Sequence, residues 1–271
     1  VFARTWGARA GEPPAAEYWR TLIPAIKAKR PDFLFIAEAY WDLEWELQQQ
    51  GFDYCYDKRL YDQLVHGGPE SVRLHLLAGS AYQERLVRFI ENHDEPRAAV
   101  TFSRVRGRAA ALALLTLPGA RLLNEGQLEG RQVRLPLFLG RRPEEPVDED
   151  LARFYARLLQ ATGHAALRGG RWSLCEQRGW PDNPSQKNLL AWCWIQDEAR
   201  FLTVLNLAEQ SAQGRVELPW DDLPGSAWRL VDVLSGETFV RRGNELREEG
   251  LYVDLPGGGY HFLQVCATSR L

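Results

Sequence analysis

The sequence predicts two regions of different class: a parallel α/β sheet over residues 1–165, then an antiparallel all-β module over residues 166–271. Two observations carry this. In the first region, short apolar runs alternate with segments of helical spacing, the pattern of strands joined by helical crossovers. In the second, short aromatic and β-branched runs are separated by turn residues, the pattern of an antiparallel sandwich. A third observation bears on function. Phe33-Leu-Phe-Ile-Ala-Glu38 and Arg88-Phe-Ile-Glu-Asn-His-Asp94 are apolar runs that stop at acids. Buried parallel strands read this way, and chemistry in such sheets gathers at the C-terminal strand ends. Two carboxylates so presented suit acid/base work on a polar, uncharged substrate such as a sugar.

The elements follow in order. Residues 14–29 have helical spacing, with Pro14 in the first turn and Pro24 in the middle, and Arg30-Pro31-Asp32 breaks them off before a strand at Phe33–Ala37. Asp42–Gln50 is helical and ends at Gly51; a second strand covers Phe52–Tyr56. Helical patterns over 57–66 and 70–78 lead to a third strand, Leu86–Ile90. Pro96 opens a long Ala- and Leu-rich helix over Arg97–Leu117; Pro118-Gly119 ends it before a fourth strand, Ala120–Leu123. Arg131–Val147 reads as irregular loop. Asp148 then caps a closing helix that runs to Thr162. Eight β segments follow, between Trp172 and Val265. Gly257-Gly258-Gly259 precedes a strand and not a helix, so it reads as a hairpin turn rather than a phosphate cradle.

Composition excludes several classes. Of 271 residues, 45% are hydrophobic and 25% charged, as in a water-soluble folded chain. A net charge of -3 leaves no electrostatic footprint for nucleic acid. No apolar run approaches the ~18 residues of a membrane span, so neither nucleic acid nor membrane is an expected partner. Cys55, Cys175, Cys193 and Cys266 form no CxxC, and no His stands at zinc spacing, so no metal site and no cofactor are expected. Cys55, Cys193 and Cys266 lie in apolar runs and read as small buried hydrophobes. That mildly favours a reducing, cytoplasmic compartment. The chain begins Val1-Phe2 and holds no Met, so the natural start, with any targeting signal, is expected upstream.

At these residues the sequence resembles the alpha-amylase superfamily. Ile36-Ala-Glu38-Ala-Tyr-Trp41 is similar to its strand-five motif, in which the Glu is general acid/base. Phe89-Ile-Glu-Asn-His-Asp94 resembles its strand-seven motif, in which the His and Asp hold the sugar at the cleavage point. Leu117–Gln127 looks like the strand-eight segment, and the β module resembles the C-terminal sandwich. The resemblance implies the C-terminal half of a TIM (β/α)8 barrel followed by an all-β antiparallel sandwich domain. It implies Glu38 and Asp94 as catalytic carboxylates, His93 as a donor to a sugar hydroxyl, and Tyr40 and Trp41 as an aromatic face. The implied activity is retaining hydrolysis of an alpha-glucan or alpha-glucoside.

The family's nucleophile is an Asp just before a stretch similar to Val1–Trp6, and it has no counterpart here. The expectation is therefore four of eight barrel units, partnered by a missing N-terminal half of the same chain. The chain alone is expected to be inactive and prone to aggregate through open strand edges. Glu38 suits the acid role if burial raises its pKa. A transglycosylase differs only in whether water or a sugar attacks the intermediate, and the sequence leaves both open. A non-catalytic amylase-like scaffold is the alternative from another class, although it has no need of acids at both strand ends. Glu91 and Asn92 read as structural hydrogen-bonding groups. Arg97 reads as a helix start or partner of Glu95, and Arg104, Arg106 and Arg108 as a solvated turn of helix. His66, His75, His164 and His261 read as surface or packing residues. The catalytic reading requires Glu38 and Asp94 at one rim, within about 12 Å.

Overall fold

The computed structural model describes residues 12, 17–40, 42–136, 138 and 141–268. Four short strands carry the first region: β1 (Ile36–Ala37), β2 (Tyr54–Tyr56), β3 (Leu86–Arg88) and β4 (Ala120–Arg121). They pair in that order, all parallel, with Ala37 beside Cys55, Tyr56 beside Val87 and Arg88 beside Arg121. Helices fill the connections: α1 (Tyr18–Lys27) before β1, α2 (Glu44–Gln49) after it, then α3 (Lys58–His66), α4 (Pro69–Leu76) and α5 (Ser80–Gln83). Between β3 and β4 come α6 (Ala98–Thr101) and α7 (Arg104–Thr116). Among the described residues the outer edges of β1 and β4 have no strand neighbour and the sheet does not close. The expected helix start at Pro14 lies outside the described residues.

The strands are shorter than the apolar runs suggest, for local reasons. The amide of Phe35 donates to the Asp53 side chain at 2.8 Å, and its carbonyl accepts from Asp53 and Tyr54. The ladder therefore begins only at Ile36. The expected helix 97–117 is broken in two. Phe102 is extended (φ -106°, ψ 144°), and Ser103 restarts the helix by accepting from the Arg106 amide. Gly119 has φ +106°, and a Cβ there would collide with the Leu86 carbonyl, which fits the tight turn into β4.

α7 is buried continuously from Ala109 to Thr116. Its small side chains let it lie between the parallel sheet and the β module. α8 (Glu149–Thr162), capped by Asp148 accepting from Leu151 at 2.9 Å, packs beside it, and α9 (Ala166–Gly169) follows.

The β module contains β5 (Arg171–Leu174), β6 (Gln177–Arg178), β7 (Leu189–Gln196), β8 (Ala199–Asn206), β9 (Ala212–Val216), β10 (Ala227–Asp232), β11 (Thr238–Arg242), a short α10 (Gly243–Glu248), β12 (Leu251–Leu255) and β13 (Tyr260–Thr268). One antiparallel sheet runs β11-β10-β13-β8-β7-β5 and a second runs β12-β9-β6. β7 is apolar from Leu189 to Ile195 because both its faces are covered. Leu189, Ala191 and Cys193 enter the core between the two sheets; Leu190, Trp192 and Trp194 join the core shared with α7 and α8. The indole N–H of Trp192 donates to Thr116 Oγ1 (3.2 Å) and that of Trp194 to the Thr116 carbonyl (2.7 Å).

Several expectations are corrected. β12 pairs with β9 and β13 with β8, so Gly257–Gly259 crosses between sheets and is not a hairpin turn. Gly258 has φ +70°, the left-handed conformation that the crossing uses. Cys266 is half-buried; the other three cysteines are buried, and all four are free thiols. His75 and His261 have specific partners, Asp57 and Asp232. Arg97 stands at the start of α6, as one of its two readings had it, and its ion pair is with Glu91 at 3.0 Å rather than Glu95. The arginines of α7 are not simply solvated: Arg104 reaches Asp148 and Asp150, Arg106 donates to the Leu64 carbonyl, and Arg108 lies over the Phe154 ring. β6 and α10 were not anticipated. Among the described residues no helix is long and apolar enough to cross a membrane.

Candidate active site

In a parallel sheet all strands end at one rim, so residues just beyond β1, β2, β3 and β4 converge there. Glu38 follows β1 directly. The β3 end continues through Phe89 and Ile90 into Glu91–Asp94. Ligating atoms of Glu38, His93 and Asp94 all lie within 4.8 Å of one another. His93 Nε2 is 3.4 Å from Glu38 Oε1 and 3.6 Å from Asp94 Oδ2, so the imidazole stands between the two carboxylates. The Tyr40 hydroxyl donates to Glu38 Oε1 at 3.0 Å. Trp41, expected as part of an aromatic face, lies outside the described residues. The sequence-predicted residues that are described therefore come together, far inside the 12 Å limit.

The cluster is open. The side chains of Glu38, His93 and Asp94 are 37%, 44% and 46% exposed, so the described residues do not bury Glu38 in the way the acid role asks. The tyrosines beside it are affected more. Burial, then the bond to Glu38, pushes the Tyr40 phenol above its ordinary value; burial and the Glu38 charge do the same to Tyr56. Both remain hydrogen-bond donors at any physiological pH. Asp42, four residues past Glu38, holds a left-handed backbone (φ 59°), and its carboxylate accepts from Arg59 Nη1 at 2.8 Å.

A buried polar frame supports the loop after β3. The Asn92 side-chain oxygen accepts from the amides of Asp94 and Glu95, both at 2.9 Å, folding the chain back so that His93 and Asp94 stand outward. Glu91 accepts from the Ala98 amide (2.6 Å) and Asn124 Nδ2 (3.1 Å) and pairs with Arg97. Burial pushes the Glu91 carboxyl up, against these partners. Glu91 and Asn92 thus have the structural role that the sequence suggested. Asn124 and Arg97 were missed as members of the same frame; Asn124 lies inside the strand-eight segment, where the resemblance pointed without naming it.

A second buried network lies under the rim. Arg88, in β3, pairs with Asp57 at the end of β2, and both are fully buried. His75 Nε2 contacts the same carboxylate at 3.0 Å, and Asp57 also caps α3 through the Leu60 amide (3.1 Å). Arg88 Nε donates to the Pro118 carbonyl at 3.0 Å, and its Nη2 to the Gln83 side chain. Burial works to raise the Asp57 carboxyl, but Arg88 and His75 outweigh it and hold it at about 2. None of these partners is adjacent in sequence, and the sequence reading identified none of them.

No family profile matches the chain. Over 155 residues it is 32% identical to alpha-amylase MalA of Haloarcula japonica, covering 53% of this chain and 22% of that protein. The fold matches a noncanonic maltogenic alpha-amylase, AmyB, of Thermotoga neapolitana with a TM-score of 0.73 at 16% identity, over 95% of this chain and 60% of that one. It also matches the acarbose-complexed alpha-amylase of Geobacillus thermoleovorans with a TM-score of 0.70 at 14% identity, over 93% of this chain and 57% of that one. The chain thus spans about a fifth of the curated relative's length and little more than half of the solved structures. The chain is similar in sequence to an alpha-amylase over 155 residues, and it shares the fold of solved alpha-amylases over nearly its whole length.

Proposed function

We propose that the protein containing this chain is an alpha-amylase-type glycoside hydrolase that cleaves alpha-glucans with retention. The convergence of Glu38, His93 and Asp94 within 4.8 Å at the C-terminal rim carries this reading. The alpha-amylase relatives support it, as does the acarbose bound by the Geobacillus enzyme. Glu38 protonates the leaving oxygen and later takes the proton from water, with the Tyr40 hydroxyl fixing its orientation. His93 and Asp94 hydrogen-bond the sugar hydroxyls, and Asp94 tightens its hold as the ring flattens toward the transition state.

Double displacement also needs an attacking carboxylate about 5 Å from the acid. We assign it to a segment outside the described residues. On this reading the four parallel strands are the C-terminal half of a (β/α)8 barrel within residues 1–165, and residues 166–271 form its C-terminal sandwich domain. The missing half then covers the open edges of β1 and β4 and supplies the burial that Glu38 lacks here. The chain alone has no hydrolytic activity. The free thiols support a reducing, cytoplasmic compartment.

The test uses the full-length protein. Maltooligosaccharide hydrolysis followed by NMR is expected to release the alpha-anomer first. Glu38→Gln is expected to lower kcat by about 10²–10⁴-fold, the usual worth of a general acid. First release of the beta-anomer, or activity undiminished in Glu38→Gln, overturns the mechanism.

A further inference from the structure

A groove of about 570 Å³ opens between α2, α3, α4 and α5, within the size range of small-molecule sites. None of Glu38, His93 and Asp94 lines it. One wall is aromatic. Trp45, in the first turn of α2, is 56% exposed, and its ring centroid lies 6.2 Å from that of Tyr82 with the planes tilted by 58°. Leu74, also exposed, adds apolar surface. The other wall is polar. Gln63 Oε1 is buried there with no hydrogen-bond partner, an acceptor that lacks a donor.

The remaining groups define what fits. Ser71 is already committed to the Gly68 carbonyl and His75 to Asp57. Arg59, one turn from Gln63 on α3, is neutralised by Asp42 yet keeps further N–H donors. The groove therefore offers no uncompensated charge. It offers two angled ring faces, an idle acceptor and spare donors. A sugar ring matches this set, with C–H faces for the aromatics and hydroxyls that both donate and accept. The tilt between Trp45 and Tyr82 follows a curved, alpha-linked chain better than a flat, beta-linked one. Arg59 also ties the groove to Asp42, in the loop that follows Glu38.

We infer that the Trp45–Tyr82 groove is a second carbohydrate site, which holds a glucosyl unit of an alpha-glucan outside the catalytic cluster. The choice of glucan rests on the proposed hydrolase function.

The experiment uses the full-length protein carrying Glu38→Gln, so that bound glucan stays intact, and titrates it calorimetrically with maltoheptaose. Two sites per chain are expected, one of which disappears on adding Trp45→Ala and survives in Trp45→Phe. Gln63→Leu is expected to weaken that site about tenfold, the worth of one hydrogen bond to a buried acceptor. Cellohexaose, the beta-linked counterpart, is expected to leave it empty. With Glu38 intact, Trp45→Ala keeps hydrolysis of 4-nitrophenyl alpha-maltoside within about twofold of the parent while its migration in a starch gel is less retarded. Unchanged stoichiometry and unchanged starch retardation in Trp45→Ala overturn the inference. A parent that does not hydrolyse the maltoside yet binds maltoheptaose through Trp45 overturns the catalytic reading and leaves this site standing.

Discussion

Asp57→Asn isolates the buried network under the rim. Asn keeps the shape and the oxygen that caps α3, but it removes the charge and puts an NH2 donor where the other carboxylate oxygen accepts from Arg88. Two routes give the magnitude. The Asp57 carboxyl is held at about 2 against an ordinary 3.8, which corresponds to roughly 2 kcal/mol of stabilisation of the charged form. The second route counts what is left behind: a fully buried Arg88 guanidinium without its carboxylate, typically about 3–5 kcal/mol. The first route compares a charged with a neutral partner in an otherwise unchanged site; the second includes the stranded cation. Together they bracket the loss at about 2–5 kcal/mol. Urea unfolding of the full-length protein by tryptophan fluorescence reads it, with hydrogen exchange of the α3 amides as a local check. Because the folded-state pKa is depressed, the stabilisation is fully present above the unfolded value near 4 and is lost as pH falls through about 2. The gap between wild type and Asp57→Asn is therefore expected to be constant at neutral pH and to narrow only under strong acid. Adding Arg88→Met is expected to recover part of the loss, since it removes the stranded charge. A loss below about 1 kcal/mol, or a double variant weaker than Asp57→Asn, refutes the account.

Three further outcomes follow from contacts described above. On the proposed hydrolase reading, Tyr40→Phe removes the hydroxyl that orients Glu38 and is expected to lower kcat of the full-length protein about tenfold with KM nearly unchanged, as steady-state kinetics on maltooligosaccharides will read. Thr116→Val takes away the acceptor of the buried Trp192 indole but not the carbonyl that serves Trp194; thermal unfolding is expected to show a loss of about 1–3 kcal/mol, and a neutral result means that Trp192 finds another partner. The 271-residue chain expressed alone is expected to aggregate on light scattering, because among the described residues β1 and β4 have no strand neighbour on their outer edges and Phe33, Leu34 and Ile36 are exposed; a soluble monomer with a sharp thermal transition contradicts this.

What the sequence reveals and what it hides here divide along one line. Features set by neighbours in the chain were legible. The apolar runs ending at Glu38 and Glu91 located β1 and β3, Asp148 marked the start of α8, and the Asn-His-Asp motif led to the rim. Features set by partners far along the chain were not. Asp57 and Arg88 are 31 residues apart, and neither position looks unusual in its own surroundings. Gly257–Gly259 carries ordinary turn chemistry, but turn chemistry does not say which strands flank the turn, and here they belong to different sheets. The break at Phe102 falls between these cases: Ser103 is a ready cap, yet the Ala-rich stretch around it favours continuous helix, and burial of Phe102 tips the balance. The same division explains why recognition outran mechanism. His93 and Asp94 are presented by a turn that Asn92 builds from adjacent residues, so the motif survives in the sequence as a unit. The surroundings of Glu38 depend instead on residues far along the chain: His93 Nε2 stands 3.4 Å from its carboxylate. Its side chain stays more than a third exposed among the described residues, and the proposed function assigns the burial that an acid role asks for to chain outside them.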